Sequence, residues 1–281
     1  MLQDHSKMSI ALIVLYIPVI LLSTGLACYR HKRPRMAWIT LMFFSTIRIA
    51  AGIVVIISEQ KPSVGVMIAA TILLNAGVFP LIAATMGYIR IIQHISISIR
   101  LYISPYLWIL KSNSVAVQQS MSPKIQQGLR LSRLLFLAGI SLTIAGGALE
   151  GSDTTSDVPI GMKLVKAGYS IVVVFAAILL AIQAYFWTQY SLFSKTSRTI
   201  LKAMAFGTPF IGVRITYLFL SVLHASDLRW NALLGPIAPF LVMGLLMEYF
   251  VVCIYLITGL LIPARAIPAN KVIPLSEEET S

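Results

Sequence analysis

Long runs of apolar residues, each broken by a short polar stretch, dominate the chain. Blocks long enough to cross a hydrocarbon core of about 30 Å, which takes about 20 helical residues, fall near 8–29, 37–58, 64–89, 131–149, 163–187, 201–223 and 236–261. The pattern predicts an all-α, polytopic membrane helix bundle of seven transmembrane helices occupying 1–261. It also predicts a disordered cytosolic tail over 262–281, which contains prolines and the acidic run Glu277, Glu278 and Glu279. The fourth block is the shortest and carries Gly139, Gly146 and Gly147. The stretch 91–130, with Tyr102, Pro105, Tyr106 and Trp108, suits an interfacial segment anchored by aromatic rings. The first block is too long for a secretory h-region and is followed, not preceded, by its basic cluster, so it reads as a retained span.

Charge gives the blocks an orientation. Of the 22 Lys and Arg, 15 fall in the 1–2, 3–4 and 5–6 connections and the tail, and five on the opposite side (Lys7, Lys61, Lys163, Lys166 and Arg229). The positive-inside rule then places the N-terminus outside or in the lumen and the C-terminus in the cytosol. The acids Asp4, Glu59, Glu150, Asp153, Asp157 and Asp227 gather on the lumenal side.

Composition agrees with this picture. The chain of 281 residues is 58% hydrophobic and only 11% charged, against about 25% charged in an ordinary soluble domain. Its net charge of +12 is dispersed between spans, which suits anionic lipid headgroups and not a nucleic-acid partner. Cys28 and Cys253 are isolated thiols with neither disulfide nor zinc spacing. The four histidines form no metal-ligand grouping, and no phosphate loop or nucleophile elbow occurs, so no metal and no cofactor is expected. Asp153 and Asp157 read as a solvated acidic loop.

Two lysine-or-arginine positions are left over, Arg48 and Arg214, and both lie inside spans together with Glu248. An ionisable group in hydrocarbon costs about 2.5–3.5 kcal/mol even on the mildest insertion scale, so it is normally paired and functional. Counted from each span's entry, Arg48, Asn75, Arg214 and Glu248 all lie about 16–20 Å deep. They define one polar layer at mid-membrane. One reading is an interhelical clamp without a ligand. The other is a site, because two guanidinium groups face one carboxylate and an excess positive charge in low dielectric calls for water or an anionic ligand. Gly207, Pro209 and Gly212 in the sixth span, with Gly77 and Pro80 in the third, suggest kinked helices around a cavity. Tyr217, Tyr249 and Phe210 are the candidate substrate contacts, and Phe43, Phe44 and Phe250 are further candidates for lining the same space.

Several segments resemble a family of fungal seven-helix integral membrane proteins found in secondary-metabolite clusters. They are Phe44-Ser45-Thr46-Ile47-Arg48-Ile49 after Trp38, Gly207 through Tyr217, and Met247-Glu248-Tyr249 followed by Tyr255-Leu256-Ile257-Thr258-Gly259. Some similar members are membrane-bound terpene cyclases. The resemblance implies an enzyme of the terpene cyclase type, acting without a cofactor on a lipophilic prenylated substrate. It also implies residence in the endoplasmic reticulum and other membrane-bound pathway enzymes as partners. In that scheme Glu248 protonates a terminal epoxide and the tyrosine faces stabilise the cation. Desolvation favours the neutral form of Glu248, whereas adjacent Arg48 and Arg214 favour the charged one. If the arginines hold it, the proton comes from Glu150, Asp153, Asp157 or Asp227. A seven-helix receptor or sensor and a small-molecule transporter are the competing classes. The receptor lacks an Asp/Glu-Arg-Tyr after span 3, and the transporter lacks an internal repeat.

Overall fold

The structure, a computed structural model, describes residues 4–30, 36–107, 134–150, 158–224, 228–230, 233 and 235–262. Among these the chain is all-helical. We number the helices α1 (Asp4–Gly25), α2 (Met36–Gln60), α3 (Val64–Ala76), α4 (Val78–Leu107), α5 (Leu134–Glu150), α6 (Val158–Thr188), α7 (Lys195–Leu223) and α8 (Ile237–Leu261). Six of the helical stretches are long and apolar enough to cross a membrane: His5–Cys28, Met36–Gln60, Val64–Ile95, Val158–Thr188, Lys195–Leu223 and Ile237–Leu261. The fourth sequence block forms only the shorter α5, about 25 Å long at the helical rise. Residues 108–133, the acids Asp153, Asp157 and Asp227, and the tail from 263 lie outside the described residues. The expected interfacial stretch begins as a continuation of α4 to Leu107.

Each long helix turns one stripe inward, as the 3.6-residue period requires of an amphipathic helix. On α2 the buried positions are Trp38, Leu41, Phe44, Ser45, Arg48, Gly52, Val55 and Ser58, with Ala37 and Ala51 beside them. On α7 they run Ser197, Ile200, Leu201, Met204, Gly207, Ile211, Arg214, Tyr217 and Leu218. The three mid-span charges therefore sit on core-facing stripes, while Phe43 and Phe250 face outward at 59% and 43% exposure. Helix α2 packs on α1, α3 and α4, and α7 packs on α8, α4 and α6, so these two helices form the spine of the bundle.

Small residues set the tightest approaches. Gly139 and Gly146 on α5 face Gly168 and Gly161 on α6; a β-carbon at Gly168 would stand 2.8 Å from the Gly139 carbonyl, and one at Gly146 would stand 2.7 Å from the Gly161 carbonyl. The pairs run in opposite chain directions, so α5 and α6 form an antiparallel hairpin with glycine at both crossing points. Glycine at such contacts lets two backbones approach where lipid supplies no hydrophobic drive for helix association. Side chains of Ser63 and Ser194 cap α3 and α7 by accepting from the backbone N–H of Val66 and Ser197.

Two irregularities lie beside the polar layer. The third span breaks at Gly77 between α3 and α4, three residues before Pro80, which has no N–H to give to the ladder. The first half of α8 winds as a π-helix over Phe240–Leu246 and returns to α geometry at Met247, immediately before Glu248. Such bulges are frequent beside functional residues.

Candidate functional site

Arg48, Arg214 and Glu248 meet, each at 0% exposure. Arg48 is the central residue of the 25-residue α2, and Glu248 stands close to the middle of α8. Arg48 donates through Nη2 to Oε1 of Glu248 and contacts Oε2 as an ion pair. Arg214 donates through Nε to Oε1 at 2.5 Å. Both arginines then converge on one backbone atom, the carbonyl oxygen of Leu74, with Nη1 of Arg48 at 2.8 Å and Nη2 of Arg214 at 3.0 Å. Leu74 lies in the last turn of α3, where helix carbonyls lose their intrahelical partners. The break at Gly77 thus supplies an acceptor to two cations, and four helices are tied at one point.

Gly77 belongs to the same arrangement. A β-carbon there would overlap the Arg48 guanidinium. The flanks are aromatic: Phe44 lies 5.6 Å from Arg48 Cζ and Tyr217 lies 5.5 Å from Arg214 Cζ, both at cation–π distance. Tyr16 of α1 packs edge-on against Phe44 at 5.5 Å and against Tyr249 at 5.9 Å.

The ion pairs do not exhaust the polar atoms. Nε of Arg48, Nη1 of Arg214, Oδ1 of Asn75 and the Tyr16 hydroxyl are buried without a hydrogen-bond partner. Oε2 of Glu248 touches Arg48 but accepts no well-aligned hydrogen bond. The three charged groups carry one excess positive charge, and they are sealed. None of them lines the hollows that open among the described residues near α3 or between α4, α6 and α7.

The open space lies one step away. A cavity of about 200 Å³ is bounded by α3, α5, α6 and α7, with Asn75 and Phe79 at its inner end, Thr71, Tyr169 and Trp230 along its walls, and Glu150 in its lining at the end of α5. A second hollow of about 270 Å³ shares Thr71, Ile72, Gly147 and Glu150 with it, so Glu150 stands where the two meet. Glu150 lies just past the fourth hydrophobic block.

The other site candidates scatter. Asn75 is 9% exposed and faces the cavity, with no hydrogen bond to the charged trio. Tyr217 is fully buried, its ring against Arg214 and its hydroxyl donating to the Trp230 carbonyl at 3.4 Å. Tyr249 is half-buried beside Tyr16. Phe210 instead packs with Phe206 and Phe250 in a cluster facing outward, away from the cavity lining. The residues that sequence reasoning missed are Tyr16, the Leu74 carbonyl and the cavity walls at Thr71, Tyr169 and Trp230. Among the described residues no group of three or more His, Cys, Asp or Glu could hold a metal ion.

A family model described as a domain of unknown function, DUF7702, matches residues 2–108 and 91–265, and the chain belongs to that family. No curated protein and no solved structure matches the chain.

Proposed function

We propose that this DUF7702 member is a seven-span integral membrane protein of the endoplasmic reticulum, N-terminus lumenal, that admits one small amphiphilic molecule to the cavity beside α3. The Arg48–Glu248–Arg214 cluster is the lock that fixes the cavity's inner end. Asn75 carries this reading. It is the residue after the carbonyl that both arginines grip, it is nine-tenths buried, and it lines the cavity while its amide oxygen is turned away from open space and has no partner. A buried amide oxygen without a partner is costly, and rotation of the amide would bring that oxygen to a ligand in the cavity. Binding, not proton donation by Glu248, fits the lock, since Glu248 presents no accessible oxygen.

The seventh span is α5. Its two glycine contacts with α6 extend along the hairpin, and about 25 Å of helix crosses a bilayer with modest local thinning. A second reading, acid-initiated cyclisation of a prenylated substrate, is favoured by Glu150, the one carboxyl group in the cavity lining.

Two measurements test these readings. Leu134→Cys and Glu150→Cys should react with an impermeant maleimide from opposite sides of sealed microsomes, and labelling from one side would reject the seventh span. Microsomes fed linear prenylated epoxides should return them unchanged if the protein only binds. An isomeric product of the same mass, lost in Glu150→Gln, would establish the cyclase instead. Ile72→Trp fills the cavity from its wall, and unaltered binding and conversion in that variant would remove the cavity from consideration.

A further inference from the structure

We infer that the cavity selects its occupant by the sign of charge: it takes a small amphiphile whose ammonium group meets Glu150 and whose neutral polar end meets Asn75, and it rejects carboxylates. This rests on the cavity-binding reading above and specifies the ligand class.

The lining supplies the argument. Apart from the Tyr169 phenol, Glu150 is the one ionisable side chain among the residues that bound the cavity. No Lys, Arg or His contributes to it, and no cation among the described residues pairs with Glu150. The wall hydroxyls have already given their protons to the backbone: Thr71 to Met67 O at 3.0 Å, Thr143 to Gly139 O at 2.8 Å and Ser221 to Leu218 O at 2.8 Å. A hydroxyl whose hydrogen is committed offers only lone pairs. These three hydroxyls therefore present acceptors to a ligand bearing donors, with the Tyr169 hydroxyl and the Trp230 indole N–H as neutral donors beside them.

An anion finds nothing comparable. The arginines behind the inner end carry unspent N–H groups, Nε of Arg48 and Nη1 of Arg214, but these atoms have no accessible surface. A carboxylate would lose its water and meet no cation in the lining, only the neutral donors of Asn75, Tyr169 and Trp230, and Glu150 would repel it at the outer end. The excess positive charge behind Leu74 also sets polarity along the cavity: it disfavours an ammonium inside and leaves that group at Glu150. The Asn75 amide can donate or accept, so a hydroxyl suits it. From the inner end outward, Phe79 and Tyr169 stack at 6.1 Å with 5° between their planes, an apolar wall for a flat body. A cavity of about 150 Å³ holds benzene, so the 200 Å³ here encloses about eight heavy atoms and leaves the charged group at the junction.

The test compares three probes of one shape on the full chain purified in lipid nanodiscs: tyramine, its neutral analogue tyrosol and its anionic analogue 4-hydroxyphenylacetate, each titrated by calorimetry. Tyramine should bind at least about tenfold more tightly than 4-hydroxyphenylacetate, with tyrosol between them. Glu150→Gln changes an exposed side chain and should erase the preference for tyramine over tyrosol. Asn75→Ser, a small polar replacement, should weaken all three together. Equal or tighter binding of the carboxylate, or a preference that survives Glu150→Gln, overturns the charge selection while leaving the cavity reading in place. Failure of all three probes to bind overturns both.

Discussion

The Arg48 guanidinium occupies the space where Gly77 would otherwise carry a side chain: a β-carbon on Gly77 would overlap Nη2 and Cζ and stand 2.6 Å from Nε. The backbone of Gly77 is ordinary right-handed helix, with φ −60 and ψ −25, so glycine is needed there for room and not for conformational freedom. Its presence lets an arginine from α2 reach across the end of α3 to the Leu74 carbonyl and on to Glu248.

Gly77→Ala should therefore disturb the cluster although alanine is the better helix former. Overpacking costs about 1–3 kcal/mol, and losing the Arg48 contact with Glu248 would raise that toward the about 3–5 kcal/mol of a broken buried pair. Gly212→Ala is the matched control, since no atom lies within 4 Å of the β-carbon it would add. Thermal unfolding of the detergent-purified chain should show a lowered midpoint for Gly77→Ala and an unchanged or raised one for Gly212→Ala. Equal midpoints would mean that Arg48 does not rest on Gly77.

Glu248→Gln leaves two buried guanidinium groups without their counter-charge. Removing one partner of a buried ion pair costs about 3–5 kcal/mol, whereas replacing the whole group with apolar residues of similar volume is often neutral. The single variant should reach the membrane in low yield and aggregate on gel filtration. The triple variant Arg48→Met, Arg214→Met, Glu248→Leu should recover much of the monodisperse peak. A well-behaved Glu248→Gln protein would show that the cluster is not what holds α2, α3, α7 and α8 together.

Why the cluster was legible and the cavity was not comes down to what a residue letter encodes. Counting inward from each span's entry places Arg48, Asn75, Arg214 and Glu248 at one depth, because helical rise is fixed. The three charges meet because each also falls on its helix's inward stripe. Depth says nothing about azimuth, and Phe210 shows the consequence: it lies one turn from Arg214 but turns its ring toward Phe206 and Phe250. The acceptor that joins the arginines is a backbone carbonyl, and a carbonyl has no letter of its own. Its one trace in the sequence is the helix-breaking pair Gly77 and Pro80. The cavity is harder still, because its walls come from α3, α5, α6 and α7, and only the matched glycines Gly139, Gly146, Gly161 and Gly168 announce that α5 and α6 pack as one hairpin. An anionic ligand is the natural expectation from two arginines against one acid; sealing both arginines away and leaving Glu150 in the lining reverses the sign of the cavity.

The buried tyrosines offer a separate check on how polar groups are settled inside the bundle. Tyr255 exchanges a hydrogen bond with Thr85 at 2.7 Å, and Tyr88 donates to the Tyr255 backbone carbonyl at 2.7 Å, joining α4 to α8. Tyr16 is as deeply buried, yet its hydroxyl has no partner. A buried polar group left unpaired costs about 1–3 kcal/mol, while hydrogen bonds between membrane helices contribute only about 0.6 kcal/mol on average. Removal of the hydroxyl should therefore act in opposite directions at the two places. Tyr16→Phe keeps the rings on Phe44 and Tyr249 and should leave the thermal midpoint unchanged or raise it. Tyr88→Phe strips a made hydrogen bond and should lower the midpoint by the equivalent of about 0.6 kcal/mol. A drop for Tyr16→Phe larger than that for Tyr88→Phe would show that the Tyr16 hydroxyl is engaged after all, with Oε2 of Glu248 an unsatisfied acceptor in electrostatic range. The charged cluster would then extend to a fifth helix.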